Sequence, residues 1–141
     1  LLEKDIASIV RRADRKGYQP CVRLNGTSDI RWERHGIMEK FPEVQFYDYT
    51  KIINRRDLPD NYSLTFSRSE CNGDHLETAL SNGMNVAAVF NGLPSEYMGI
   101  PVIDGDEHDL RFLDPKPCTV GLSAKGTAKK DQSGFVIMQE V

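Results

Sequence analysis

The sequence predicts an α/β protein with a mainly parallel sheet, forming part of a (β/α) barrel with helices on its outer face. Segments with helical spacing of apolar residues alternate with short β-prone runs along the 141 residues, and short polar stretches connect them. This alternation is typical of parallel sheets with crossover helices rather than of all-β sandwiches. The chain, residues 1–141, is predicted to form one α/β domain.

The individual elements follow from apolar periodicity and from turn residues. Residues 1–16 predict an amphipathic helix whose last turns carry cations, and Gly17 suits the position just after its end. Further helices are expected at residues 36–41, 50–56 and 74–83, the last two capped by Thr50 and Asp74. Strands are predicted at residues 18–25, 44–49, 62–67, 84–90, 102–103, 118–123 and 135–138.

Residue parity assigns side chains to the two faces of the predicted sheet, because successive side chains of a strand alternate. An apolar face, expected under the helices, contains Val22, Leu24, Tyr62, Leu64, Phe66, Val86, Ala88, Phe90, Val120 and Leu122. A polar face contains Arg23, Asn25, Ser63, Thr65, Ser67, Asn85, Ala87, Val89, Thr119, Gly121 and Ser123. Doubly wound sheets bury both faces. The polar face therefore predicts the concave, ligand-facing inside of an open or partial barrel, or a surface covered by residues outside this chain; the remaining alternative is a mis-assigned strand register.

A dense polar stretch after the first predicted strand marks the candidate ligand site. Arg23 offers a planar guanidinium to a carboxylate or phosphate. Asn25, Thr27 and Ser28 can hydrogen-bond ligand hydroxyls, and Asp29 can accept a hydrogen bond from an amine or ribose. The same residues also suit a turn at Asn25 followed by a cap. Both interpretations remain open.

Two weaker polar clusters also follow predicted strands. The first contains Asp48, Tyr49, Thr50 and Lys51, and the second contains Ser67, Ser69 and Glu70. Because a parallel barrel gathers the carboxyl ends of its strands on one side, the pocket is expected to be extended by Asp48, Lys51, Ser67, Ser69 and Glu70. The carboxyl of Asp48, the phenol of Tyr49 and the ammonium of Lys51 would suit acid–base chemistry, or this stretch is a plain strand end followed by a helix cap. No catalytic residue is assigned.

Neither the acidic residues nor the cysteines predict a metal site. Residues 104–109 do not have the spacing of a calcium loop, which favours an acidic surface loop with Arg111 paired to a nearby acid. Cys21, Cys71 and Cys118 match no zinc or iron–sulfur spacing. They are typical of reduced thiols, so a cytoplasmic location is predicted.

Composition and charge restrict the classes of function that are expected for the chain. With 39% hydrophobic and 28% charged residues, the chain has the composition of a soluble globular protein. Its apolar runs are shorter than the roughly 18 residues that cross a membrane. The net charge of -3 does not favour nucleic-acid binding in general. Basic residues within 11–16 and 125–130 nevertheless leave a non-catalytic nucleotide- or nucleic-acid-binding module as an alternative.

Several stretches together carry a resemblance to a known family. They are Arg23–Ile30 with Trp32 and Glu33, Phe41–Lys51, Leu64–Ser67, Asn82–Ala87, Asp104–Asp106, Leu110–Pro115 and Ala124–Gly126. Over nearly the whole chain they resemble a family of phage and prophage proteins called gene product eighty-eight-like. Longer members carry an N-terminal half with a cysteine cluster, and their overall order resembles a radical S-adenosylmethionine partial barrel.

The resemblance implies a phage-type protein in the host cytoplasm, and this chain, which begins at Leu1 without a methionine, would be its C-terminal part. Arg23, Asn25, Thr27, Ser28 and Asp29 would line the cofactor site. The missing N-terminal half would supply an iron–sulfur cluster, complete the S-adenosylmethionine site and pack on the first strand edge. This chain lacks the cysteine loop and would be inactive alone, so a radical-SAM-like enzyme is implied only for the longer protein.

Overall fold

The computed structural model describes residues 1–139, which form an open, mostly parallel, eight-stranded sheet with few helices. The strands are β1 (Cys21–Val22), β2 (Gln45–Thr50), β3 (Tyr62–Ser67), β4 (Asn85–Phe90), β5 (Glu96–Tyr97), β6 (Ile100–Asp104), β7 (Thr119–Ser123) and β8 (Val136–Ile137). They are ordered β1-β2-β3-β4-β7-β6-β5, and β8 also pairs with β4. Only β5 and β6 pair antiparallel within the described residues. The mainly parallel α/β class is confirmed, whereas the sheet is not closed and the predicted partial barrel is not confirmed.

The helices are short apart from the first. They are α1 (Leu2–Lys16), α2 (Ile37–Lys40) and α3 (Leu76–Ser81), with 3-10 turns at Trp32–Arg34, Gly73–His75, Arg111–Leu113 and Gly126–Lys130. The predicted end of α1 is confirmed, because Gly17 adopts a left-handed φ of 72° and its N–H donates to the last turn. None of the helices within residues 1–139 combines the length and the apolar character needed to cross a membrane.

Long-range contacts change two elements that were predicted at the carboxyl ends of β1 and β2. The strand expected at residues 18–25 is shortened to β1, since the backbone N–H of Asn25 donates to the Asp48 carboxylate instead of to a neighbouring strand. The helix predicted at residues 50–56 was wrong. Arg55 binds Asp29 and Glu33 from this segment, and these tertiary contacts override helix propensity.

The predicted cap of the third helix was also wrong. Asp74 makes no capping hydrogen bond, and α3 begins at Leu76 after a 3-10 turn. Asn72 organises this connection instead: its side chain accepts the N–H of Ser69 at 2.7 Å and donates to the carbonyl of Ser67 at 3.0 Å. An asparagine two residues earlier therefore fixes the path from β3 into the helix.

The helices cover one face of the sheet, as predicted for β3 and β4. The buried core on this face consists of Ile6, Ile37, Met38, Val44, Phe46, Tyr62, Leu64, Phe66, Leu76, Ala79, Met84 and Val86. Burial of these apolar side chains is the main favourable contribution to folding.

The face assignment of β7 was wrong. Val86 pairs with Thr119 and Ala87 pairs with Val120, and paired residues of parallel strands lie on the same face. Val120 therefore joins Ala87 and Cys118 in a second apolar cluster on the face opposite the helices. Gly121 lies on the opposite face of β7 from Val120. Glycine is required there, because a Cβ at Gly121 would lie 2.8 Å from a methyl carbon of Val102.

The chain itself covers part of the face that was predicted to be polar. Between β6 and β7, the 3-10 turn at Arg111–Leu113 contacts β2 and β3. The Phe112 ring packs on Tyr47 with centroids 5.3 Å apart. The sheet is therefore covered by α-helices on one face and, in part, by the β6–β7 connection on the other.

The close approach of this connection to β7 predicts a stability effect. A Cβ at Gly105 would lie 2.7 Å from Nη1 of Arg111 and would clash with Val120 and Leu122. We expect Gly105→Ala to lower the free energy of unfolding by about 1–3 kcal/mol through overpacking, measured by urea denaturation. The matched control is Gly73→Ala, where a Cβ meets no atom within 4 Å. Equal destabilisation by the two substitutions would contradict the packing described.

Candidate functional site

The connections between strands indicate where a ligand should bind. The chain passes from β1 to β4 in one direction across the sheet, then returns from β6 to β7, which lies next to β4. The first connections carry helices on one face, whereas the β6–β7 connection contacts the other face. Open α/β sheets bind ligands outside the carboxyl ends of their strands, near such a reversal.

Two adjoining cavities lie at these carboxyl ends and together form what we call the crevice. The first has a volume of about 310 Å³ and is lined by Arg23, Asn25, Gly26, Thr27, Ser28, Asp29, Tyr49, Thr50, Lys51 and Ser67. The second has a volume of about 240 Å³ and is lined by Arg23, Tyr49, Ser67, Arg68, Ala87, Ala88, Val89, Leu122 and Phe135. The two cavities share Arg23, Tyr49 and Ser67.

Asn25 holds the loop that forms one wall of the crevice. Only 2% of this residue is exposed, and its side-chain amide donates to the carbonyl of Ile30 and to the Asp48 carboxylate. Its side-chain oxygen accepts from the Ser28 hydroxyl, the Ile30 N–H and the indole N–H of Trp32, at 2.9–3.2 Å. The turn interpretation of Asn25 thus applies, with bonds that span residues 25–32.

A buried carboxylate lies directly beneath this loop. Asp48 is 1% exposed and accepts hydrogen bonds from the Asn25 N–H at 2.8 Å and from the Tyr62 hydroxyl at 2.6 Å. Burial raises the pKa of Asp48 above its usual value, while the bonds from Tyr62 and Asn25 act in the opposite sense. Burial and the bond to Asp48 raise the pKa of Tyr62 well above its usual value, so this phenol remains a donor.

Arg55 connects the same loop to the body of the protein. Its side chain is fully buried and donates to Glu33 through Nε at 3.0 Å and Nη2 at 2.6 Å, to Asp29 at 3.0 Å, and to the Tyr62 hydroxyl at 3.0 Å. Burial acts to raise the pKa of Glu33, but hydrogen bonds from Arg55 outweigh it and hold that pKa below its usual value.

These contacts form one continuous set, which we call the polar network: Asn25, Asp29, Glu33, Asp48, Arg55 and Tyr62. Asp29 also accepts from the Thr50 hydroxyl at 2.7 Å and from the Lys51 N–H at 2.8 Å. The loop after β1 and the end of β2 are therefore held together. Asp29, which faces the crevice, shares the cationic charge of Arg55 with Glu33.

Arg23 lies between the two cavities. Its guanidinium packs over the Tyr49 ring, 4.9 Å from the centroid, and Nη1 lies 3.2 Å from the Asp109 carboxylate. Nε of Arg23 is buried and forms no hydrogen bond with the described residues. Tyr49 donates to Asp109 at 3.3 Å, and burial raises its pKa to about 12.

Two further cations line the crevice. Lys51 follows β2 and Arg68 follows β3, and within residues 1–139 neither side chain forms an ion pair. Nη1 of Arg68 donates to the carbonyls of Gly134 and Phe135, each at 2.7 Å, whereas its Nε is buried without a partner among these residues. Arg68 thereby fixes the segment that leads into β8 beside the second cavity.

The predicted site residues fall into three groups. Seven of them line the first cavity: Arg23, Asn25, Thr27, Ser28, Asp29, Lys51 and Ser67. Asp48 is buried beneath it. Ser69 and Glu70 line neither cavity, and the Ser69 N–H is bonded to Asn72. The extension of the pocket is therefore formed by Ser67 and Arg68 rather than by the residues after them.

Tyr49 and Arg68 are the polar cavity residues of greatest interest that were not predicted as ligand-site residues; the others are Gly26, Thr50, Ala87, Ala88, Val89, Leu122 and Phe135. Tyr49 lies two residues before Lys51 on the strand face that Arg23 shares. Arg68 follows β3 immediately, within the polar cluster that supplied Ser67. Strand parity could have identified Tyr49 as a cavity residue. Position directly after a strand could have identified Arg68.

The acidic residues between β6 and β7 are bonded to other parts of the chain. Asp106 accepts from the Ser123 N–H and from Lys125 Nζ, both at 2.9 Å, and these contacts lower its pKa. Arg111 is paired with Asp114, as predicted for a nearby acid, with 3.3 Å between Nε and the carboxylate. Within residues 1–139, no group of three His, Cys, Asp or Glu side chains is placed to hold a metal ion.

A larger cavity, of about 390 Å³, lies at the opposite edge of the sheet, where β3 and β4 begin. Its lining includes the buried Arg55, the exposed Arg56, and Lys116, which donates to the carbonyl of Gly83 at 3.0 Å. Because ligands of parallel sheets bind at carboxyl ends, the crevice is the better candidate.

The fold and the crevice define an open α/β protein with a ligand-sized cleft at the carboxyl ends of parallel strands. A family model described as gene product 88 matches residues 1–139. The chain therefore belongs to the gene product 88 family, and it is a phage-type protein, as predicted. Searches of curated proteins and of solved structures found no match. Neither the family match nor the open sheet supports the resemblance to a radical S-adenosylmethionine barrel.

Proposed function

We propose that the crevice binds a small ligand through an anionic group, either a phosphate or a carboxylate. One observation carries this proposal: Arg23, Lys51 and Arg68 surround the cavities at the carboxyl ends of three neighbouring parallel strands. Asp29, the acid that lines the first cavity, is already paired with Arg55. Arg23 is paired with Asp109, but Lys51 and Arg68 form no ion pair within residues 1–139, so two cations remain to attract an anion although the net charge of the chain is -3.

The side chains of the first cavity suit an anion in both charge and geometry. Lys51 supplies a compact ammonium at the end of β2, and Arg23 supplies a planar donor. Hydroxyls of Thr27 and Ser67 complete a lining that can donate hydrogen bonds to an oxygen-rich group, whereas the Ser28 hydroxyl already donates to Asn25. The polar network fixes the loop that bears Thr27 and Ser28, so little ordering is required when a ligand binds.

Ribose 5-phosphate is a suitable probe of the anion site. We expect Lys51→Ala to weaken its binding about ten- to hundredfold, since a charge-assisted contact is lost. NMR titration measures this effect at constant ionic strength. The matched control is Arg11→Ala, which removes an exposed cation from α1, away from the crevice. Equal weakening by both variants, or no binding by the unmodified protein, would contradict the proposal.

The predicted nucleic-acid-binding module stays a prediction and concerns a different surface. It requires Arg11 and Arg15 on α1, which are exposed, and the basic residues of 125–130. Binding of DNA or RNA that falls steeply with salt and is lost in an Arg11→Ala, Arg15→Ala variant would favour it. The same variant should bind ribose 5-phosphate unchanged if the crevice is the site.

The radical-SAM-like enzyme also stays a prediction, since it depends on a cysteine cluster encoded before Leu1. In that case the partner half would pack on β1, which lies at an edge of the sheet. Anaerobic reconstitution of a longer protein would test it through iron content and cleavage of S-adenosylmethionine. Absence of both would contradict it without affecting anion binding by the crevice.

A further inference from the structure

We infer that the ligand of the crevice is a nucleotide, whose phosphate lies in the first cavity and whose base lies in the second. This inference rests on the proposed function and specifies its ligand. The two cavities share Arg23, Tyr49 and Ser67, so one molecule can extend from the first into the second. The two cavities differ in the chemistry of their walls. A nucleotide matches this difference, because it has one charged end and one flat aromatic end.

The second cavity has apolar walls. Ala87, Val89 and Leu122 project from the same face of β4 and β7, because Ala87 pairs with Val120 and Val89 pairs with Leu122. Phe135 closes one side, held by the bond from Arg68 to its carbonyl. Apolar walls with one aromatic ring favour a flat ring system over a second charged group.

Two arginines that line the same cavity each have an N–H without an acceptor. Arg23 and Arg68 both line it, and the buried Nε of each forms no hydrogen bond within residues 1–139. A buried unsatisfied donor costs free energy, which a ligand acceptor recovers. An aliphatic group offers no acceptor, whereas a nucleobase offers carbonyl oxygens and ring nitrogens, and guanine presents two adjacent acceptors to arginine.

Arg23 also provides a stacking surface. One side of its guanidinium packs over the Tyr49 ring, at 4.9 Å from the centroid. Guanidinium planes stack on nucleobases as well as on aromatic side chains. The Tyr49–Arg23 pair is thus built before a ligand binds, between the anion site and the apolar walls.

Comparison of GMP with ribose 5-phosphate tests the inference, because both carry a phosphate and only GMP carries a base. We expect GMP to bind at least about tenfold more tightly in NMR titrations of the unmodified protein. Val89→Phe fills the second cavity and should reduce GMP affinity to that of ribose 5-phosphate, whose own affinity should not change. Phe135→Ala, which removes a wall instead of adding bulk, should weaken GMP selectively as well.

The outcomes separate this inference from the proposed function. Equal affinity of the unmodified protein for GMP and ribose 5-phosphate would overturn the nucleotide inference and leave the anion site intact. Equal loss of both ligands in folded Val89→Phe would also overturn it, since the base and phosphate would then share one cavity. Binding of neither ligand would overturn both proposals. Circular dichroism verifies that each variant is folded.

Discussion

Replacing Arg55 by alanine should lower the free energy of unfolding by about 3–5 kcal/mol, because it leaves buried charges without a partner. The Arg55 side chain is fully buried, and it pairs with Glu33, whose side chain is 10% exposed, and with Asp29. It also donates to the Tyr62 hydroxyl. Its removal therefore leaves two carboxylates and a phenol without their cationic donor. Urea denaturation measures the loss.

Arg56→Ala is the matched control for this prediction. Arg56 is the next residue, it is exposed, and it forms no ion pair within the described chain. Its substitution should change the free energy of unfolding by less than about 0.5 kcal/mol. Arg55→Lys keeps the charge and loses the planar fork, so it should fall between the two. If Arg55→Ala were as stable as Arg56→Ala, the polar network would not hold the loop.

Asn25→Ala should cost about 3 kcal/mol of stability and weaken ligand binding as well. The variant loses five side-chain hydrogen bonds, among them those with the Trp32 indole and with both backbone groups of Ile30. Because residues 26–29 line the first cavity, their greater mobility should lower affinity for ribose 5-phosphate. Hydrogen exchange of the amides of residues 26–32 measures the mobility directly.

Asn54→Ala provides the comparison for Asn25. Asn54 is exposed and accepts one hydrogen bond, from Arg31 at 2.6 Å. Its removal should leave exchange of residues 26–32 and ligand affinity nearly unchanged. Equal exchange rates in Asn25→Ala and the unmodified protein would show that the loop is held by other contacts.

Local patterns predicted most of the regular elements. The apolar spacing of α1, the glycine after it, and the alternating strands β2, β3 and β4 are signals within a few residues. The pairing register between β4 and β7 cannot be predicted from signals of this local kind. It places Val120 beside Ala87 and Cys118, of which Ala87 is distant in sequence and on a different strand, and parity alone offered two choices for β7, of which the wrong one was predicted.

The candidate site likewise contains features that local sequence predicted and features that it did not. Position at or just beyond the end of a strand was enough to place Arg23, Thr27, Lys51 and Ser67 at one cavity. The pairing of Asp29 with an internal cation was not predictable, because it depends on Arg55, 26 residues beyond Asp29. The same long-range pairing removed the helix expected at residues 50–56. Contacts between distant residues, rather than local propensity, thus determine which polar side chains face the crevice.

Binding of an anionic ligand in the crevice is proposed at the carboxyl ends of β1 to β4. Amide chemical shifts of ¹⁵N-labelled protein, followed during a GMP titration, test it most directly. Saturable shifts should concentrate at residues 26–29, 49–51, 67–68 and 87–89, while the amides of residues 11–16 on α1 remain unchanged. Shifts confined to α1, or no saturable shift at millimolar GMP, would contradict the claim.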